Sequence, residues 1–457
     1  MKKLSIVVIG GVAAGASAAA KAARTNKEAE VIILEKGPHI SIASCGLPYY
    51  ISREVKDRGE LIVRRPEDLE KKYGIKVKVN HEVLKIDRPS KKVLVRDLTR
   101  NKEMEIDYDK LIIATGARAF MPPIRGIESK NVFTLRDISD VDTIDNYINQ
   151  CNPQKVVVLG GGYIGVEVAD TLRKRGLTVS LVEMYPHVLP VFDEEIAGLI
   201  QEEMKKKHIN VIVDDPVKEL EADENGKVKC VVTKNDIKLD CQMVLANLGV
   251  KPNMNLAEDA GLEVGEFGIT VDDYMRTSDT DIFAAGDVVQ VKNLVTGNST
   301  WSPLAGPANL QGKIAGANAA GENLKYRGVL RTSIVQFGEV VAARTGIWTK
   351  EAEDAGIDYF SVTIYFTSHV GYYPNSEKIT VKALARKTNG QLLGAQVAGK
   401  KGVDKRIDVL ATAITNKMNG EDLEHLDLAY SPQFSHPLDA VNVLGSVIQS
   451  KLEKIRV

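Results

Sequence analysis

Two units of strand, glycine turn, helix and strand, each closed by a glutamate, begin about 150 residues apart and constrain this chain more than any other feature. The first runs from LSIVVIGGVAAG to VIILEK and the second from KVVVLGGGYIGVE to VSLVEM. A parallel strand feeding a helix through such a turn predicts a Rossmann-type domain, and the repeat predicts two. The chain, at 457 residues, is too long for one ordinary core, which agrees.

The stretch ELIVRRPEDLEKKYGIKVKVNHEVLKID reads as a short helix and then a strand, and YDKLIIATGARAFMPP ends in a proline pair that marks a domain exit. After the second unit, CVVTKNDIKLDCQMVLANLGVKPN and TSDTDIFAAGDVV predict that the chain returns to the first domain. From Arg331 the pattern becomes period-two strands and then two helices, an α+β module of structural or dimerising role. The predicted fold class is therefore α/β, with two Rossmann-type dinucleotide-binding domains plus a C-terminal α+β dimerisation domain. The expected bounds are 1–121 and, on the chain's return, 251–330 for the first domain, 122–250 for the second, and 331–457 for the last.

Acidic and basic residues nearly cancel, leaving a net charge of -1, which argues against nucleic acid or a membrane surface as principal partner. The N-terminal MKKLSIVVIGGVAAGASAAAKAA superficially resembles a signal peptide, but its glycines mark a nucleotide-binding start. No stretch reaches transmembrane length, so a soluble, cytoplasmic protein is expected. Cys45, Cys151, Cys230 and Cys241 show neither CxxC pairing nor zinc spacing, so reduced thiols and no metal site are expected. Burial statistics make Cys151, Cys230 and Cys241 expected bystanders.

A glycine turn between strand and helix lets backbone N–H groups approach a pyrophosphate at the positive end of the helix dipole, and an acidic residue after the second strand binds ribose hydroxyls. Gly10, Gly15 and Glu35 supply this in the first unit, with Val12 where a middle glycine would stand. Gly160, Gly162, Gly165 and Glu183 match it fully in the second. A carboxylate at Glu183 would repel a 2′-phosphate, and Met184 offers no arginine to receive one, which favours NADH over NADPH unless Lys174 or Arg175 relaxes the preference.

Cys45 stands in SIASCGLPYY with no second cysteine near it in sequence. A redox protein with one local thiol completes its disulfide, persulfide or sulfenate with something brought in, and the bland alternative is a small buried hydrophobe.

Two dinucleotide folds, Ala114-Thr115-Gly116, Gly286-Asp287, SxxSCGLPYY and WSPLAGPANLQGKIAGANAAG together resemble the FAD-dependent pyridine nucleotide-disulfide oxidoreductases. Within them the chain is most similar to the single-cysteine branch of coenzyme A disulfide reductases, coenzyme A persulfide or polysulfide reductases, and NADH oxidases and peroxidases. The resemblance covers essentially the whole chain. It implies FAD on Gly10, Gly11, Ala14, Gly15, Glu35 and Lys36, with Ser44, Val83, Ala114, Thr115 and Gly116, and with Gly286, Asp287 and Ala305 from the returning segment. It implies NADH on Gly160, Gly162, Tyr163, Ile164, Gly165, Glu183 and Gly249. Electrons would pass from the nicotinamide through the flavin to Cys45, which is held as a mixed disulfide or persulfide.

Ala13 departs from the oxidases and peroxidases, whose turn typically carries a histidine there; its absence favours a thiol or persulfide substrate. The coenzyme A-linked members share HVGYYPNS, with Tyr372 and Tyr373, and AYSPQFS, with Tyr430, expected near the cysteine across a homodimer interface. A phenol there could protonate a leaving thiolate, although Tyr372 and Tyr373 serve equally as sheet aromatics. Gln433 and His436-Pro437 depart from that pattern; His436 is either an acid/base for the partner's cysteine or an interface histidine.

For the coenzyme A tail, Lys21 and Arg24 share a helix face, with Arg64 and Arg65 as second candidates and Ser41 and Ser44 for the pantetheine near Cys45. A basic pair of this kind is also an ordinary solvated face. The expected activity is NAD(P)H- and FAD-dependent reduction of coenzyme A disulfide, coenzyme A persulfide or polysulfide, with coenzyme A bound to Cys45 as a possible resident. The alternatives are an NADH oxidase or peroxidase, a non-catalytic flavin redox sensor, and an electron carrier for a rubredoxin-like protein. With no rhodanese-like stretch after Val457, any sulfur-transfer partner is expected to be a separate protein.

Overall fold

The computed structural model describes residues 3–456, so Met1 and Lys2 of the leader-like stretch lie outside the described residues. The two glycine-turn units are built alike. In the first, five parallel strands lie in the order 282–284, 110–113, 5–9, 30–34, 76–78. In the second the order is 132–133, 243–246, 155–159, 178–182, 210–212, again parallel. Helices cover both faces of such a sheet, which is why Ile6, Val7 and Val8 and then Val156, Val157 and Val158 form unbroken apolar runs, all at most 1% exposed.

Each sheet carries an antiparallel three-stranded appendage, His81–Asp87 to Lys102–Asp107 in one and Val217–Ala222 to Lys238–Asp240 in the other. The chain passes from the first unit to the second and back along one two-stranded ribbon, Ala117–Ala119 against Val250–Pro252. On return it adds strand Ile282–Ala284 to the first sheet and lays helix Ala305–Ala319 on helix Ala13–Thr25.

Two details differ from the sequence expectation. The strand expected after helix Pro66–Tyr73 is two strands in two sheets, because Asn80 at φ 55° turns the chain between Lys76–Lys78 and His81–Asp87. The C-terminal domain has a five-stranded antiparallel sheet, Ser333–Phe337 to Leu392–Gly399, followed by three helices rather than two. The extra one, Gly420–Glu424, is one turn long, too short to show a helical period.

One segment crosses over in packing. Leu47, Ile51 and Leu61 follow Cys45 in the first domain's sequence, yet they pack with Ile144, Val166, Leu172 and Ile196 in the second domain's core. Arg53 reinforces this with two 2.8 Å bonds to the Asp145 carboxylate, and Arg58 pairs with Asp142 at 2.6 Å.

Candidate functional site

In a parallel sheet all strands end on the same edge, and the first unit brings its candidate residues there. Gly10 follows the 5–9 strand, Glu35 the 30–34 strand, Ala114, Thr115 and Gly116 the 110–113 strand, and Gly286 and Asp287 the 282–284 strand. Gly10 has φ +97°, and a Cβ at Gly15 would collide with the Gly10 carbonyl oxygen, so both must be glycine for the turn to close. The Glu35 carboxylate accepts the Gly11 and Gly37 amides, each at 2.7 Å. Burial pushes its pKa up, against those two bonds.

Ala14 and Ala305 lie on the two packed helices, Val83 is half-buried, and Lys36 pairs at 2.8 Å with Glu82. Thr115 donates its hydroxyl to the Asn253 carbonyl at 3.0 Å, and the Gly286 amide bonds the Gln311 side chain at 2.8 Å. Asp287 meets Arg136 at 3.2 Å; burial raises its pKa and the guanidinium opposes that.

The second unit repeats the arrangement. Gly160 has φ +93°, a Cβ at Gly165 would strike the Gly160 carbonyl, and Gly162 faces open space. Glu183, 5% exposed, accepts the Gly161 amide at 2.6 Å and the Tyr185 amide at 3.0 Å. Tyr163 and Ile164 open the helix Tyr163–Lys174, with the Tyr163 hydroxyl 2.5 Å from Ser333 Oγ, and Gly249 follows the 243–246 strand. In both turns glycine lets the helix close onto the strand end beside a carboxylate, the arrangement by which a dinucleotide's pyrophosphate and ribose are held.

Cys45 lies in the 3-10 turn Ser44–Gly46, just after Ser41, whose amide bonds the Gly11 carbonyl at 2.9 Å. The residue is exposed, yet its thiol is partly desolvated by the protein around it. That desolvation pushes the thiol's pKa up; Glu167 from the second unit and Asp287 from the first add to the rise, and Arg136 opposes it. The side chains facing Cys45 therefore work against an easily formed thiolate. Of the other thiols, Cys230 and Cys241 are buried as expected, but Cys151 is exposed, because it ends helix Ile138–Cys151.

The tyrosines and His436 gather on the C-terminal domain. The Tyr372 and Tyr430 hydroxyls are 3.3 Å apart, and that bond pushes the Tyr430 phenol up. Tyr373 meets the His369 ring edge-on at 5.7 Å. His436 is engaged within its own chain, with Nε2 2.8 Å from Thr367 Oγ1 and its ring 4.5 Å from Phe366, and burial lowers its pKa.

The proposed tail-binding cations stand differently from one another. Lys21 and Arg24 do lie on one helix, but Lys21 is bonded to Glu322 at 3.0 Å and Arg24 sits 5.7 Å over the Tyr73 ring. Arg64 and Arg65 are exposed at the start of the 66–73 helix.

Three residues around Cys45 escaped the sequence reading: Tyr49, Glu167 and Arg136. Glu167 was in view, as the last letter of GGGYIGVE, and a carboxylate two residues past a motif glycine on a mostly apolar helix face was the available signal.

Two such turns, with the exposed Cys45 close behind the first, define a dinucleotide-dependent redox protein. Residues 4–322 match the pyridine nucleotide-disulphide oxidoreductase family model and residues 332–440 its dimerisation domain. The chain belongs to this family of flavin-dependent oxidoreductases. It is 35% identical over 431 residues to an NADH oxidase of Methanocaldococcus jannaschii, covering 94% of this chain and 95% of that one. It is 33% identical over 442 residues to a coenzyme A disulfide reductase of Staphylococcus haemolyticus, covering 96% and 98%. The solved NAD-dependent persulfide reductase of A. fulgidus superposes with a TM-score of 0.96 at 37% identity, covering 99% of this chain and 84% of that one. Among the described residues, no helix is long and apolar enough to cross a membrane.

Proposed function

We propose that this chain is an NADH-dependent flavoprotein that reduces coenzyme A disulfide, coenzyme A persulfide or polysulfide through Cys45, working as a homodimer. The observation that carries the reading is that the exposed Cys45 opens the arm by which the first glycine-turn unit packs into the core of the second, so the thiol stands where the two units meet, while its three sister cysteines lie in the second. FAD, bound at the first turn, would supply two-electron exchange between a nicotinamide and Cys45.

The residues have separate tasks in this reading. Glu35, fixed by two amides, receives ribose hydroxyls, and the Gly10 to Gly15 turn receives the pyrophosphate. Asp287 takes the polyol, and Glu183 repels a 2′-phosphate at the second turn. Cys45 attacks the outer sulfur of a disulfide or persulfide, and the Tyr430 phenol of the partner protomer, bonded to Tyr372, donates a proton to the leaving thiolate.

The relative named an NADH oxidase supports a second reading, with oxygen or peroxide as acceptor; Ala13 in place of a histidine weighs against it. Anaerobic NADH oxidation by the purified yellow protein, with each sulfur substrate in turn and an oxygen control, separates the two. Fast turnover on a coenzyme A species, lost in Cys45→Ser, is expected. Turnover on oxygen alone would establish the oxidase, and flavin reduction without turnover on any acceptor would make the protein a sensor.

A further inference from the structure

Glu167 is a carboxylate on helix Tyr163–Lys174 that pairs with no cation among the described residues; it accepts a hydrogen bond from the Tyr49 hydroxyl at 3.0 Å. Tyr49 lies on helix Leu47–Ile51, one turn beyond Cys45, within the segment that packs into the second domain's core. A second tie joins the same arm to that helix from just past its 47–51 turn of helix: Lys174 bonds Glu54 at 2.9 Å, alongside its 3.0 Å contact with Asp170. An ion-pair network would serve equally well to dock this arm, yet the contact made one turn after the thiol is between an acid and a phenol.

We propose that the Tyr49–Glu167 pair is a positioning element that sets the charge state of Cys45. The proposal rests on the reading of Cys45 as the redox thiol and assigns no contact with substrate to either residue. The ionisable groups facing Cys45 come from four elements: Glu167 from the 163–174 helix, Asp287 from the turn after strand 282–284, Arg136 from the approach to the 138–151 helix, and Tyr49 from its own arm. Arg136 is already committed to Asp287 at 3.2 Å, so the charge left over is that of Glu167.

Burial raises the pKa of Glu167 itself, and the Tyr49 bond opposes that rise and favours the ionised form. An ionised neighbour makes the thiol harder to deprotonate, so an idle Cys45 stays largely protonated and slow towards electrophiles and peroxide. The thiolate that does form is intrinsically more nucleophilic than that of an acidic thiol. The pair thereby shields the resting cysteine, and the smaller thiolate fraction that does so also slows its attack on a sulfur substrate, an effect the added nucleophilicity offsets only in part.

The test is the pH profile of Cys45 alkylation by iodoacetamide, read by peptide mass on the reduced holoenzyme. The mass readout separates Cys45 from the exposed Cys151. In Glu167→Gln the midpoint should fall by about one pH unit, raising alkylation below the midpoint up to about tenfold. Tyr49→Phe should shift it the same way by less, because the carboxylate loses its donor and ionises less readily. Glu54→Gln cuts the second tie between the arm and the 163–174 helix and should leave the midpoint where it is. Bound-flavin absorbance and melting temperature establish that each variant is folded. A wild-type midpoint in Glu167→Gln, or an equal shift in Glu54→Gln, overturns the proposal whatever the turnover assays give. Failure of the redox reading shows separately, as Cys45→Ser that still turns over.

Discussion

Arg406 and Asp439 form a bidentate ion pair sealed from solvent: Nη2 to Oδ2 is 2.8 Å, Nε to Oδ1 is 3.0 Å, and each side chain is 1% exposed. Arg406 also donates to the Ser368 carbonyl, so the pair joins the loop holding Tyr430 and His436 to the turn after strand Tyr359–Thr367 that holds Tyr372. Asp439→Asn leaves a buried guanidinium uncompensated and should cost about 3–5 kcal/mol, read by denaturant unfolding.

The same pair fixes a pH dependence. Burial alone would raise the Asp439 carboxyl, but Arg406 and the Ser435 hydroxyl hold it below its ordinary value. A group depressed on folding contributes stability above its unfolded pKa, about 3.9, and loses it as pH falls through the folded value. The gap in melting temperature between wild type and Asp439→Asn should therefore be full at neutral pH and narrow below about pH 4. A gap constant down to strong acid would assign the loss to packing instead.

Gly165 and Gly162 should behave oppositely although both belong to the second turn. A Cβ at Gly165 meets the Gly160 carbonyl, whereas one at Gly162 meets nothing within 4 Å. Gly165→Ala should lower the melting temperature and abolish flavin reduction by NADH. Gly162→Ala should fold normally, with the KM for NADH as its measurable change.

Glu183 is expected to set nucleotide choice. Glu183→Gln keeps the shape and removes the charge, so the ratio of kcat/KM for NADH over NADPH should fall about tenfold, an electrostatic term of ~1.4 kcal/mol. An unchanged ratio would move the preference elsewhere on the second domain.

Lys21 offers a test by release. If its ammonium serves a coenzyme A phosphate, Glu322 competes for it across a 3.0 Å bond. Lys21→Ala should then raise the KM for coenzyme A disulfide several-fold, while Glu322→Gln should lower it; surface pairs of this kind change stability by no more than ~1 kcal/mol. Equal KM values in all three proteins would leave Lys21 as a tie between the 13–25 and 305–319 helices.

The glycine turns were legible because each demand is local: a strand, a backbone with positive φ and a carboxylate about 20 residues on. The return of the chain to the first sheet was legible too, since IFAAGD repeats the grammar of a buried parallel strand. Lys21 and Glu322 were not, for 301 residues separate them and nothing in either flank names the other. Glu167 was hidden in a different way: its meaning lies in facing Cys45 from another domain, and position along its own helix reveals only that it is polar. The exposure of Cys151 was missed because burial statistics average over helix interiors and helix ends.

The short arm from Leu47 to Leu61 has a consequence for how such proteins can be recombined. By sequence it belongs to the first glycine-turn unit; by packing it is a piece of the second. A chimera that exchanges the domain between 122 and 250 alone would transplant a core with its lid missing and strand Leu47, Ile51 and Leu61 against a foreign surface. The natural unit of exchange is discontinuous, and it takes the neighbourhood of Cys45 with it.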